Sequence, residues 1–253
     1  MSAERLQTAL ADGILTVTLN RPEKRNAIDS GMIEELHAML DRAELDQHVR
    51  VVALRGAGKD FCAGMDLDEL LASADKTSDE NYQSALRFGS LFVRMRALPK
   101  PVVAVVHGRV LAGGMGLATG CDIILAHPEA AFGYPEIQRG FVPAIVISML
   151  RRLAGEKVGF DLVATGRQIT ATDAERLGLV SRLLSRDGFD AEAEAILRGI
   201  AVSSATALAL TKRQFYEAEG RAFADAVELG ARVNALARST PDFRAAIVRF
   251  LNK

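Results

Sequence analysis

Four short apolar runs constrain this chain more than any other feature: "GILTVTLN" (13–20), "VVALRG" (51–56), "PVVAVVHG" (101–108) and "DIILA" (122–126). The last three are almost wholly apolar, as strands covered on both faces must be. In the first, Leu15, Val17 and Leu19 alternate with Ile14, Thr16 and Thr18, the period of a strand. Helical patterns separate the runs. After residue 20, Ile33, Leu36 and Leu40 recur on one helical face, with Asp29 or Ser30 able to cap the start. Strand and helix in alternation predict an α/β fold with several crossovers. Past about residue 187 no strand pattern remains, and 191–202, 205–218, 221–237 and 242–251 read as helices. The expected organisation is therefore a core over 1–187 with a helical region over 188–253. The stretch 71–90, with "SADKTSDENYQS" at its centre, reads as a solvated loop or lid.

Charge narrows the function classes. A formal net charge of −1 provides no broad basic field for nucleic acid or anionic membranes. "MSAERLQTAL" lacks the plan of a signal peptide, and no apolar run approaches the roughly 18 residues of a spanning helix. A cytoplasmic protein is expected. Cys62 and Cys121 sit apart within apolar segments and read as buried thiols. His37, His48, His107 and His127 lack the spacing of metal ligands.

Two glycine-bearing turns follow strands and introduce helices: "RGAGKDFCAGMDLDEL" (55–70) and "VLAGGMGLATGCD" (110–122). A glycine inside a helix costs about 1 kcal/mol relative to alanine, so the second turn needs a reason. Close packing is one. Backbone amides aimed at a ligand, at helix starts where they lack intrahelical partners, are another. Neither turn has the spacing of a phosphate loop or a dinucleotide fingerprint.

The stretches "NRPEKRNAID" (20–29), "GKDFCAGMDL" (58–67), "VVAVVHGRVLAGGMGLATGCDIILA" (102–126), "AAFGYPEIQRGFVP" (130–143) and "ATGRQITATDAERLGLV" (164–180) follow one another in a known order. In that order and spacing the chain resembles the crotonase, or enoyl-CoA hydratase/isomerase, superfamily over nearly its whole length. The resemblance implies a crotonase-like spiral of ββα units, a helical C-terminal region used in trimerisation, and a homotrimer or dimer of trimers. It also implies a substrate carried as a coenzyme A thioester, with no metal and no resident cofactor. By the same resemblance the backbone N–H groups of Met65 and Gly113 form an oxyanion hole, and Glu136, in "FGYPEI", is the acid/base. Lys24 and Arg25 match positions near the nucleotide phosphates, and Ala63, Asp66 and Leu67 match the adenine and pantetheine channel. Asp122 and His107 match structural positions. Tyr134 and Glu69 are candidate helpers that also read as structural or exposed residues.

One position departs from the pattern. Where the family's hydratases carry a first glutamate, this chain has Gly116. One carboxyl suffices to move a double bond, whereas hydration then requires it both to activate water and to protonate carbon, or requires another residue to help. "GGMGL" followed by "GFVPAIVISML" resembles a bacterial branch described as hydratases or as methylglutaconyl-CoA hydratase-like, and the second stretch lacks the carboxylate that a dienoyl isomerase or a dehalogenase would carry there. Hydration is placed ahead of isomerisation, and a non-catalytic acyl-CoA binder stays open.

Overall fold

The computed structural model describes residues 4–252. In chain order the elements are β1 (Leu6–Ala11), β2 (Ile14–Leu19), α1 (Ser30–Leu45), β3 (Val51–Gly56), α2 (Leu67–Ala72), α3 (Ser78–Ala97), β4 (Val102–Val106), β5 (Arg109–Leu111) and α4 (Gly113–Gly120). They continue as β6 (Ile123–Ala126), β7 (Ala131–Gly133), α5 (Ala144–Thr165), β8 (Gln168–Thr170), α6 (Ala171–Arg176), β9 (Arg182–Leu183), α7 (Phe189–Ala201), α8 (Ala205–Glu217), α9 (Phe223–Arg238) and α10 (Pro241–Leu251). Two strands followed by a helix recur as β1-β2-α1, β4-β5-α4 and β6-β7-α5, the repeating unit expected.

The main sheet has the order β1-β2-β3-β4-β6-β9, parallel throughout except for the β1-β2 hairpin. Asp12 and Gly13 turn that hairpin with φ of 51° and 79°, the left-handed pair that matches strand twist. A smaller sheet, β5-β7-β8, stands beside it. Each apolar run serves two cores. Val52, Leu54, Val102, Ala104 and Val106 face α1 and α3, while Val51, Ala53, Val103 and Val105 face α7 through Ala193, Leu197 and Ala201. Strands packed on both sides have no polar face to show.

The helix after residue 29 is α1, capped by Asp29, whose carboxylate accepts from Met32 N–H at 2.8 Å. The loop or lid expected over 71–90 is corrected: Ser78–Ala97 is one continuous helix. Thr77 and Glu80 form a reciprocal capping box, and only Phe88, Leu91, Phe92 and Met95 are buried, so most of α3 is a solvated helical face. The four C-terminal helices fall where the periodicity put them. Among them, α7 covers the sheet, α8 docks on α3, and α10 buries none of its residues. Among the described residues no single helix is long and apolar enough to cross a membrane.

Candidate active site

The site lies where the carboxyl ends of β3, β5 and β7 deliver three turns to one cavity. The first turn is held from behind by Asn26, fully buried, whose amide donates to Ala57 O at 2.9 Å and Asp60 O at 2.8 Å. His107 Nε2 lies 3.0 Å from Gly58 O, the structural role expected of it. The turn then bridges to Ile28: Ile28 N–H donates to Gly64 O and Asp66 N–H to Ile28 O, both at 2.8 Å. Ile28 spends both its backbone groups in this parallel bridge, so the amide of Met65 faces the opposite side.

The second turn meets the first at Gly64, which has φ +108°; a Cβ there would stand 2.7 Å from Ala112 Cβ and 3.4 Å from Gly113 N. Ala112 itself has φ 51° and ψ −126°, a conformation costing an L residue about 1–3 kcal/mol. It turns the chain so that Gly113 begins α4, where an amide has no acceptor one turn back. Among the described residues neither Met65 N–H nor Gly113 N–H donates a hydrogen bond. The remaining glycines of α4 answer a different demand. Added Cβ atoms would meet Cys62 Sγ at 2.7 Å from Gly114, Met95 and Phe92 at 2.7 Å from Gly120, and would overlap Val146 Cγ1 from Gly116. The glycine run therefore has two causes, one amide without an acceptor and three close approaches.

The third turn is a 3-10 turn, Pro135–Arg139, following β7. It carries Glu136, 8% exposed, whose Oε2 is buried with no hydrogen-bond partner. Burial pushes this carboxyl above its ordinary pKa, against smaller opposing pulls from its own backbone N–H and from the Arg139 charge.

Lys24, Arg25, Ala63, Met65, Asp66, Leu67, Gly113 and Glu136 all line one cavity of about 1100 Å³, so the structure brings the candidate oxyanion, acid/base and coenzyme A residues together. Lys24 is ion-paired with Asp68 and lies 3.8 Å from Asp66, and Arg25 sits at a left-handed φ of 53°. Asp66 uses its side chain to cap α2 through Asp68 N–H and to accept Arg21 Nη2 at 2.7 Å. Burial raises the Asp66 carboxyl, but the Arg21 and Asp68 hydrogen bonds and the nearby positive charges outweigh it, leaving the pKa below its usual value.

A profile of the family described as Enoyl-CoA hydratase/isomerase matches residues 9–253. The chain belongs to this family. A Thermus thermophilus protein provisionally named an enoyl-CoA hydratase is 40% identical over 240 residues, covering 95% of both chains. The 1,2-epoxyphenylacetyl-CoA isomerase of Escherichia coli is 31% identical across 95% of this chain and 93% of its own. Among solved structures, the enoyl-CoA hydratase of Mycobacterium smegmatis superposes with a TM-score of 0.94 at 30% identity, covering 98% of this chain and 96% of that one.

Within the family frame, position 116 is closed space: α5 delivers Val146 to the face of Gly116, and Phe92 lies 3.5 Å from where a Cβ would be. Glu69 is not in the cavity; its carboxylate accepts from Ser30 N–H at 2.8 Å and Ser30 Oγ at 2.9 Å. Tyr134 is fully buried behind the site, its hydroxyl unpartnered and its pKa raised by burial. Asp122 accepts from Val102 N–H, Lys212 Nζ and Tyr216 Oη at 2.6–2.8 Å, which ties α8 to β4. Among the described residues no group of three or more His, Cys, Asp or Glu could hold a metal. Sequence reasoning missed Arg21, which donates to Asp66 and to Ala27 O and lies 3.2 Å from Asp29. It also missed Arg109, Arg139 and Phe141 on the cavity wall. For Arg139 a signal existed, since it follows Glu136 by three residues.

Proposed function

We propose that this protein hydrates a 2-enoyl-CoA, with the amides of Met65 and Gly113 as oxyanion donors and Glu136 as the single acid/base. The observation that carries the reading is the Glu136 carboxyl: buried, one oxygen unpartnered, in the cavity that also holds two undonated amides. The thioester oxygen sits between the amides. As water oxygen bonds to C3, the C2=C3 π pair moves into the thioester enolate, and the Glu136 carboxylate takes the proton that water releases. The same carboxyl then returns a proton to C2, and the enolate collapses. A raised proton affinity suits a group that must first accept and then donate near neutral pH. Each preorganised donor in a dry site stabilises the enolate by about 3 kcal/mol.

Lys24, Arg25, Ala63, Asp66 and Leu67 form the wall that takes the coenzyme A handle, with no metal in the reaction. Exposed Phe243, Ile247, Phe250 and Leu251 on α10 support assembly as a homotrimer or a dimer of trimers, in the cytoplasm. Isomerisation of a 3-enoyl-CoA is the second reading. It is favoured by the single carboxyl and by the space that Val146 fills beside Gly116.

Purified protein supplied with crotonyl-CoA and with a 3-enoyl-CoA, read by mass spectrometry, separates the two, because only hydration adds the mass of water. E136Q is expected to lower the operating activity by roughly two to four orders of magnitude. Full activity in E136Q, or no turnover of either thioester by the wild type, overturns the proposal.

A further inference from the structure

His37 lies outside the cavity, yet it fastens the helix that supports α4. It is buried between α1 and α3. Its Nε2 lies 3.1 Å from Arg87 O and 3.3 Å from Ser90 Oγ, and its Nδ1 lies 2.9 Å from Arg94 Nη1. These neighbours leave one tautomer. A carbonyl only accepts, so Nε2 carries the hydrogen and donates to Arg87 O; a guanidinium only donates, so Nδ1 offers its lone pair to Arg94. The neutral ring thereby ties α1 to α3 at two points about two turns apart. Arg94 Nη1 adds a third tie to His37 O at 3.3 Å.

The charged groups around this ring are already engaged. Glu34, on α1, accepts from Arg87 Nε at 2.8 Å and Nη2 at 2.6 Å, and Asp41, also on α1, pairs with Arg94. Glu35 turns away, accepting from Leu6 N–H and lying 3.7 Å from Arg5. None of these carboxylates bonds the ring. A proton added at Nδ1 would set N–H against N–H at 2.9 Å and an imidazolium beside a guanidinium, a like-charge contact in a desolvated place. Burial holds the imidazole below its ordinary pKa; the Arg87 and Arg94 charges pull the same way, against the hydrogen bond to Arg87 O and the Glu34 charge.

What α3 carries links this tie to the site. Phe88 follows Arg87 in the chain, and its Cζ stands 3.5 Å from where a Gly113 Cβ would be, with Met65 Sδ at 3.4 Å on the same spot. Phe92 meets α4 again, at Gly116 and at Gly120. The two rings pack edge to face with centroids 5.0 Å apart. This aromatic pair is a buttress behind the turn that presents the Gly113 amide.

We infer that His37 is a positioning residue: uptake of one proton at its Nδ1 displaces Arg94, unfastens α3 from α1 and loosens the buttress behind Gly113. The sign follows from the neutral ring being the bound form. The tie is complete above the ordinary histidine pKa of about 6.5 and is lost as pH falls below it, toward the lower value of the folded state. The inference concerns the support of the cavity, and it holds whichever thioester reaction the cavity performs.

Hydrogen exchange read by mass spectrometry tests the inference on wild type and on H37Q, whose amide keeps a donor and an acceptor but has no proton to gain. Rates are compared at pH 7.5 and 5.0 after correction for the chemical dependence of exchange on pH. In the wild type, peptides over 84–97 and 113–120 are expected to exchange about fivefold faster at the lower pH, whereas those over α7, on the other face of the sheet, are not. In H37Q all of them are expected to stay level. Calorimetry with butyryl-CoA, saturated and inert to hydration, supplies a second reading. The affinity of H37Q relative to wild type is expected to be about one at pH 7.5 and to reach about threefold at pH 5.0, a ratio from which the ionisation of the ligand's own phosphates cancels. Wild-type peptides over 84–97 whose protection does not change with pH overturn the inference without any variant. An affinity ratio that stays constant with pH, whatever its value, overturns it as well.

Discussion

Gly116→Ala should destabilise this protein, although helix propensity alone argues the reverse. Position 116 lies inside α4, where replacing glycine by alanine normally stabilises by about 1 kcal/mol. Here the new methyl would overlap Val146 Cγ1, with Val146 Cβ only 3.4 Å away and Phe92 Cζ at 3.5 Å on another side. Valine is β-branched and strongly prefers one rotamer in a helix, so it cannot swing clear, and Val146 is 3% exposed at the first turn of α5. Overpacking of this kind costs about 1–3 kcal/mol, and the stiffness of the neighbour places it near the upper end. The net expectation is a loss of about 2 kcal/mol, which lowers a urea midpoint by about 1 M for a slope near 2 kcal/mol per molar. Val146→Ala alone should destabilise by a similar amount through the cavity it leaves. The double variant G116A/V146A should do better than the sum of the two, because the methyl introduced at position 116 then fills vacated space, giving a coupling of about 2 kcal/mol. Urea unfolding at one fixed protein concentration, followed by circular dichroism, measures all four proteins. A G116A variant more stable than wild type by about 1 kcal/mol, the gain that propensity alone would give, with no coupling to position 146, would refute the packing explanation for this glycine.

The other expectations concern groups whose environment is unusual. Glu136 has a folded-state pKa raised by burial, so its ionisation opposes folding above that pKa, and stability from this site is regained as pH falls through it toward the ordinary carboxylate value. E136Q should therefore be more stable than wild type at pH 8, with the gain shrinking toward pH 4; urea midpoints across that range check it, and a gain that grows on acidification contradicts the sign. Lys212→Met removes the counter-charge of Asp122 and leaves a largely buried carboxylate, at a cost of about 3 kcal/mol that K212M/D122N should partly restore. Equal midpoints for wild type and K212M would show the pair to be dispensable. Burial pushes the Cys62 thiol up to about 12, so alkylation at pH 8 should track unfolding in urea rather than reagent concentration, as mass spectrometry of the labelled protein can show.

The parts of the fold that could be read in the sequence are those whose cause is local or periodic. Runs such as 51–54 and 102–106 declare themselves because both faces of the strand are buried, and Asp29 declares the start of α1 because the capping carboxylate is in the chain at the capped position. The α3 helix escaped because its first half is solvated and its buried residues begin only at Phe88; the Thr77 and Glu80 box was the available signal. β1 buries only Leu6 and so shows no alternation, while β5, β7 and β8 are three residues each, too short for any period to register. The site divides in the same way. Glycine was legible as a demand on the backbone, but which demand depends on Val146, well further along the chain, and on Cys62, far earlier. Glu136 stood out only through the family pattern, because a glutamate after a proline turn has no local property that separates it from a surface residue. Its burial comes from the packing of α5 and the neighbouring turns.

Two features at the cavity are unfavourable to folding taken alone. Ala112 holds a backbone conformation that costs about 1–3 kcal/mol, and the buried, unpartnered oxygen of Glu136 adds a desolvation penalty of similar size. A glycine at 112 would relieve the first and a leucine at 136 the second, so neither burden is imposed by the architecture. Both act on the same volume: the strained residue turns the Gly113 amide to the start of α4, and the desolvated carboxyl keeps its proton affinity high. A scaffold shaped only for stability has no reason to concentrate these burdens around one cavity, whereas a site that must meet developing charge without reorganising has to hold its donors and its acid/base unsatisfied until substrate arrives. That asymmetry, more than the size of the cavity, supports the proposal that the carboxyl and the two amides serve one chemical step.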